Sequence, residues 1–380
     1  MLYVFVIFVC LVLAWIYDIH GHKKNKNSWY YALLVLFILI SGLQYMVGTD
    51  IPKYMEYYDQ IKPHLSLSDF ISGVEERKQP GWVLLSWFSK QISDNFVFLK
   101  FLHAIILNIA VFSFFKKESK YSFLCVFFYA FSTYLVLNFN VMRQSLAVAF
   151  GLYAISYIRR DRYLYFLFFS LFAFMFHNSG ILLLIIPLFK FFKISKKTRI
   201  VFLSFIVLSL YVILSVDFES IANNIVNSGI MSDTISSFAV GYMNDDRLGI
   251  GGGVAQLSIH VILVVVVLFY YLIHERDFFI GGLGSCYLFV LLLSSFMPIL
   301  WRFRLYFDFP YYVLLANVII KYPHGLLRQY RCIFYVIAVL LFCYYPYRDY
   351  FNVHKGSKYR YIDQYYPYHS VFDPIKEKRI

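Results

Sequence analysis

Charge is what this sequence has least of. Only 15% of its 380 residues are Asp, Glu, Lys or Arg, where a soluble domain carries roughly 25%. That deficit excludes a chain whose surface lies mostly in water. Cysteine is scarce too: Cys10, Cys125, Cys286, Cys332 and Cys343 each sit inside an apolar run, and none forms a Cys-x-x-Cys pair. Neither a disulfide framework nor a metal site follows, and all five read as small buried hydrophobes. The first apolar run, from Leu2 to Tyr17, lacks a basic leading segment and a small-x-small cleavage motif. It is therefore expected to stay as a membrane helix. Gly249, Gly251, Gly252 and Gly253 are not followed by Lys-Ser/Thr, which excludes a P-loop and leaves a flexible hinge. No Asp-x-Asp motif, Rossmann pattern or internal repeat is present.

What is present is apolar and aromatic. Hydrophobic residues make up 60% of the chain and aromatic residues 22%, with a mean hydropathy of +0.62. The net charge of +13 does not indicate nucleic acid, because the basic residues sit in short clusters between apolar runs. A spanning helix needs about 20 apolar residues. Runs near 2–19, 29–47, 97–115, 121–138, 141–158, 163–177, 179–193, 200–216, 254–273, 278–297, 303–320 and 331–345 meet that need approximately. The expectation is an all-α polytopic membrane protein with about a dozen transmembrane helices. About half of the 35 lysines and arginines fall in alternate short loops, at 23–26, 116–120, 159–162, 190–199, 276 and 321–331. By the positive-inside rule these loops face the cytoplasm, and both termini lie outside. Residues 1–345 then form one helical domain with outer loops 48–96 and 217–253, and 346–380 form an outward-facing tail.

One run tests this topology. Residues 163–192 form an apolar run broken at His177, Asn178 and Ser179, with Ser170 and Lys190 also polar. A single helix would be about 45 Å long and would put two basic clusters on opposite sides. A hairpin keeps both inside, with arms of only about 20 Å, so its turn lies below the outer headgroups. Irregular backbone at that depth survives when buried in protein or lining a wet cavity. Trp82 to Ile92 is amphipathic and too short to span, which suits an interfacial or re-entrant helix.

Four groups of polar residues are placed on the outer face by this topology. Gly48-Thr49-Asp50 with Tyr54 follow the second span, and Asn138 to Gln144 bring Arg143 to the mouth of the fifth. His177 to Ser179 cap the hairpin, and Trp301 to Tyr306 open the eleventh span with Asp308 close behind. Arg143 heads a stripe of small residues, Ala147, Gly151 and Ala154, so it faces protein. It is either a snorkelling anchor or an anion contact, since guanidinium grips phosphate oxygens at two points. Arg302 and Arg304 point about 200° apart on a helix. Arg304 is spaced to pair with Asp308, so Arg302 is preferred as ligand contact and Arg304 stays in the same pyrophosphate set. His177 serves either as a general base or as a hydrogen-bonded cap, and Asp50 either as base or as helix cap. His103 and His260 lie mid-span and read as packed polar residues.

At these positions the chain resembles the EpsG branch of the Wzy-type polysaccharide polymerases. The likeness rests on Gly48-Thr49-Asp50 with Tyr54, and on Asn140-Val-Met-Arg143-Gln144 with Ala147. It continues in Phe176-His177-Asn178-Ser179, in Arg302-x-x-x-Tyr306-Phe307, and in Tyr366-Pro367-Tyr368 of the tail. Two departures stand out. Gly180 replaces the family's usual alanine, and Gln79-Pro80-Gly81-Trp82 stands where a glutamate is expected before the glycine-aromatic pair, with Glu75 and Glu76 nearby.

The resemblance implies a glycosyltransferase, GT-C-like in architecture, at the outer face of the bacterial inner membrane. It would join undecaprenyl-pyrophosphate-linked repeat units into O-antigen, capsule or exopolysaccharide. Arg143, Arg302 and Arg304 would meet the pyrophosphate, Tyr54, Gln144 and Tyr306 the glycan, and His177 or Asp50 would act as base. No metal or other cofactor is implied. Partners would be the lipid-linked glycans, membrane lipids and a chain-length regulator, with no nucleic acid. Competing readings are a lipid-linked oligosaccharide flippase, an O-antigen ligase and a membrane O-acyltransferase. A flippase would carry cations through the full membrane depth, whereas only Lys100 comes near mid-span here. An acyltransferase would need larger cytoplasmic loops for its donor.

Overall fold

The longest apolar runs become the longest helices, and polar residues mark where those helices break. A computed structural model describes residues 2–62, 79–191, 253–274, 277–296, 300–321, 331–351 and 359–374, with isolated positions at 66, 68, 71, 204 and 353. The glycine-rich stretch 249–252, Glu75 and Glu76, all of span 200–216 but position 204, and loops 194–199 and 217–252 lie outside the described residues. Among the described residues all regular structure is helical, apart from isolated bridges Gln44–Ser370 and Val353–Arg360. They fall into two compact units, residues 1–187 with 362–380, and residues 188–361.

In the first unit α1 (Leu2–Ala14) continues as a short π-helix, Trp15–Ile19. It is followed by α2 (Lys26–Gly42), α3 (Ile51–Gln60), α4 (Pro80–Ile92) and α5 (Phe96–Glu118). Then come α6 (Ser122–Ser132), α7 (Tyr134–Phe139), α8 (Met142–Arg159) and α9 (Tyr163–Phe176). A 3-10 turn, Asn178–Ile185, leads into α10 (Ile186–Phe191), which straddles the unit boundary. Local signals set several ends. Asn95 caps α5 by accepting from the Val97 amide at 2.9 Å, and Lys116 and Lys117 complement the dipole in its last turn. Proline opens α4 where its missing N–H has no intrahelical use. Helix α8 packs against both α5 and α9, and the small residues Ala147, Gly151 and Ala154 are buried there.

The two ends of this unit are chemically distinct. At one end Lys26 pairs with Asp18 at 3.0 Å, Asp18 accepts from the Leu124 amide, and buried Glu118 accepts from Arg159 and Arg160. At the other end the chain crossings lie at Gly48–Asp50, Gln79–Trp82, Asn138–Arg143 and His177–Gly180. Residues 362–373 are laced over this second end. The Tyr45 amide donates to His369 carbonyl oxygen, Gly48 to Gln364, and Val371 to Leu43. Tyr368 hydroxyl donates to Ile40 and Tyr3 to Tyr365.

In the second unit lie α11 (Gly253–His274), α12 (Phe278–Phe296), α13 (Trp301–Arg304), α14 (Asp308–Lys321) and α15 (Arg331–Phe351). Helix α14 is the buried centre of this unit and packs against α11, α12 and α15.

Several runs expected as single spans are broken. The run 121–138 divides at Thr133, beyond which Asn138 turns inward to Tyr129 and Asn108. The run 303–320 divides at Leu305–Phe307. Pro310 supplies no amide, and its ring crowds the carbonyl four residues back, so the helix restarts at Asp308. Helix α2 stops at Gly42 because the tail takes the backbone groups of residues 43–48. In consequence two helices among the described residues, Leu2–Ile19 and Phe96–Glu118, are long and apolar enough to cross a membrane alone. The shorter apolar helices include Ser122–Ser132, Tyr163–Phe176 and Asn178–Lys190. Helix α9 nonetheless exposes Leu164, Leu167, Phe168 and Leu171, and α1 exposes Val4, Phe5 and Phe8. Exposed apolar faces of that extent need a non-aqueous neighbour.

Candidate functional site

Three of the four groups singled out in the sequence meet at the laced end of the first unit. The break between α7 and α8 is where they join. Asn140 accepts from the Thr49 amide at 3.2 Å and donates to Gln364 and to Tyr365 hydroxyl at 3.2 and 2.8 Å. Gly48 has φ +98°, and a Cβ there would strike Phe139 carbonyl oxygen, so only glycine lets the two segments touch. Asp50 then heads α3, where its side chain makes no capping hydrogen bond. Four residues on, Tyr54 packs against Trp82 at 5.2 Å between ring centroids. Its hydroxyl lies within hydrogen-bonding reach of Arg143. Packing raises the Tyr54 phenol above its ordinary value of 10.0, with Asp50 acting in the same direction and Arg143 against it. Tyr54 is therefore neutral at physiological pH.

Arg143, partly exposed, donates from Nη1 to Gln79 Oε1 at 2.9 Å. Gln79 is held in turn, because its carbonyl accepts from the Trp82 and Val83 amides. The next residue but one, Gly81, lies where a Cβ would come 3.0 Å from Met175 carbonyl oxygen. That close approach brings the start of α4 against the end of α9, beside His177. His177 Nδ1 accepts from the Ser179 amide at 3.2 Å and sits 2.6 Å from Ser179 Oγ, capping the 3-10 turn. Gly180 fits there for a steric reason: a Cβ would lie 2.7 Å from Phe174 backbone nitrogen.

Beneath this surface runs a buried polar network. Lys100 donates to Asn138 carbonyl oxygen and lies over the Phe139 ring, with its nitrogen 5.3 Å from the centroid. His103 Nε2 lies 2.6 Å from Ser145 Oγ, and Asn108 donates to Asn138 at 3.1 Å. Gln144 belongs to this interior, with 2% of its surface exposed.

The fourth group lies in the second unit. Arg304, partly exposed, faces buried Asp308 at 3.4 Å. Arg302 stands half-buried two residues away, and Tyr306 is 1% exposed. His260 Nε2 lies 2.8 Å from Tyr287 hydroxyl and its ring stacks on Tyr345. Among the described residues no three His, Cys, Asp or Glu come together as metal ligands do.

Sequence reasoning missed Gln79 as the partner of Arg143, and Asn140, Gln364 and Tyr365 as its scaffold. The signal for Gln79 was its place before the glycine-aromatic pair. The tail residues had no signal beyond their tyrosine content, because they meet Asn140 across more than 220 positions of chain.

The sequence profile of the EpsG family matches residues 27–370. This chain belongs to the EpsG family. It is accordingly a membrane protein with a role related to polysaccharide polymerisation. No curated protein and no solved structure matches the chain.

Proposed function

We propose that the chain is a polymerase glycosyltransferase of the inner membrane that joins undecaprenyl-pyrophosphate-linked oligosaccharide repeat units into O-antigen, capsule or exopolysaccharide. It would cross the membrane about twelve times, with the laced end of its first unit facing outward. The observation that carries this reading is Arg143, a partly exposed guanidinium that donates to the neutral Gln79 amide and lies beside the Tyr54 phenol. A cation so placed is suited to an anionic ligand.

In the reaction an acceptor hydroxyl attacks the anomeric carbon of the donor glycan. A new glycosidic C–O bond forms, the C–O bond to pyrophosphate breaks, and undecaprenyl pyrophosphate leaves with the electron pair. Arg143 stabilises the charge that develops on the leaving oxygen, as preorganised donors do, and Arg302 serves phosphate recognition from its own unit. The hydroxyl proton passes to His177 or Asp50. Tyr54 contributes an aromatic edge and a neutral hydroxyl to the glycan. Surface glycan length in a deletion strain tests the activity: loss of a polymerase leaves single repeat units, whereas chains of normal length in that strain reject the reading.

A further inference from the structure

Gln79 meets Arg143 in the one orientation that the chemistry allows. Guanidinium carries donors only, so the amide must present its oxygen, as Oε1 does at 2.9 Å. The amide nitrogen, with two more donors, is then left on the side away from Arg143. The arrangement is built into the fold. Trp82 and Val83 hold the Gln79 carbonyl at 3.0 and 3.1 Å, Trp82 is 1% exposed against Tyr54, and Gly81 is wedged on Met175. Several other cations in this unit meet carboxylates, Lys26 with Asp18, Lys90 with Asp94, and Arg159 and Arg160 with Glu118, whereas Lys100 and Lys116 meet a carbonyl and a tyrosine. A carboxylate at position 79 would close a charge-assisted pair with Arg143 and use up its cation. An amide fixes the guanidinium and leaves its charge for a ligand.

We infer that Gln79 is a specificity-determining residue of the anion site: it orients Arg143 without neutralising it and adds its own N–H donors toward a pyrophosphate oxygen. This rests on the reading of Arg143 as a phosphate contact.

The test uses the full-length protein in lipid nanodiscs, with a short polyprenyl pyrophosphate as probe. Binding is measured for wild type, Arg143→Gln, Gln79→Glu and Gln79→Met, with thermal unfolding recorded for each. Arg143→Gln should abolish measurable binding. Gln79→Glu should weaken it by about tenfold or more, since a like charge in contact with an anion is strongly unfavourable. Gln79→Met, neutral but without hydrogen bonds, should fall between. If Arg143→Gln binds as wild type does, the phosphate reading of Arg143 fails and takes this inference with it. If Arg143→Gln loses binding while Gln79→Glu, or a folded Gln79→Met, binds as wild type does, only the role of Gln79 is overturned. Tighter binding or higher activity in Gln79→Glu also overturns it, because a carboxylate is then what the site requires.

Discussion

The two ends of the first unit hold their arginines differently, although the laced end also has one cation–carboxylate pair, Lys90 with Asp94. At the end holding the 159–162 loop, Glu118 is buried between Arg159 and Arg160, and Asp18 both pairs with Lys26 and receives the Leu124 amide. Lys26, Arg159 and Arg160 each have a carboxylate there, while Lys116 meets the Tyr31 hydroxyl and ring; the carboxylate pairs tie α5 to α8 and the end of α1 to α2 and α6. At the laced end, the described partners of Arg143 are Gln79 and Tyr54, both neutral, and Lys100 meets a carbonyl and a ring. Neutralised charge holds helices together. A guanidinium left with neutral partners near the surface keeps its field for something that arrives.

The sharpest way to break this comparison is to ask whether the ends lie on opposite sides of a membrane. An impermeant maleimide should label Asp94→Cys, at the laced end, in intact cells and leave Asn25→Cys unlabelled. The reverse pattern would put the site on the cytoplasmic side. Next in size is Glu118→Ala. Glu118 is buried but the Arg159 and Arg160 side chains are 29% and 44% exposed, so losing its hydrogen bonds should cost about 1–3 kcal/mol and lower the melting temperature in detergent. A melting temperature unchanged from wild type would show that the charged end is ornamental.

Arg143→Lys should do the reverse. Lysine keeps the charge but loses the planar two-point grip on phosphate, so polymerisation by purified enzyme should fall severely while the melting temperature holds. Arg302→Lys should behave alike and Arg304→Lys should retain more activity, because Arg304 already faces Asp308. Near-normal rates in both Arg143→Lys and Arg302→Lys would reduce these arginines to anchors. His177→Ala should shorten chains markedly, since general-base help is worth about 10²–10⁴ in rate. If His177→Gln makes polymer of full length, the imidazole is only the cap of the 3-10 turn and Asp50 is the next base to test. The smallest effect is expected at Lys100→Met. Replacing a buried charge by an apolar group of similar volume is often close to neutral, so stability should move by no more than about 1 kcal/mol. Loss of polymer from a stable Lys100→Met protein would place Lys100 with the functional residues.

Composition and apolar runs were enough to make the chain all-helical and apolar, and to expect helices at 97–115, 141–158 and 163–177, close to the observed 96–118, 142–159 and 163–176. They sufficed because helix formation in an apolar run is a local property, and because Asn95, Pro80 and Gly48 act on their immediate neighbours. The motifs around Asp50, Arg143 and His177 could be picked out in one dimension for the same reason, as polar residues standing where apolar runs end. What no local signal carried was which partner each of them takes. Gln79 reaches Arg143 across 64 positions, and Asn140 joins residues 49 and 364–365. Such contacts depend on where the ends of α4, α8 and the tail arrive together. The breaks at 133 and 305–307 likewise arise where side chains of other helices compete for backbone and amide groups, or where a proline removes one. The sequence therefore determined the helices and the residue types of the site. The tertiary structure alone decided that its arginine is held by a neutral amide, because a charge's partner is set by distance through space and not along the chain.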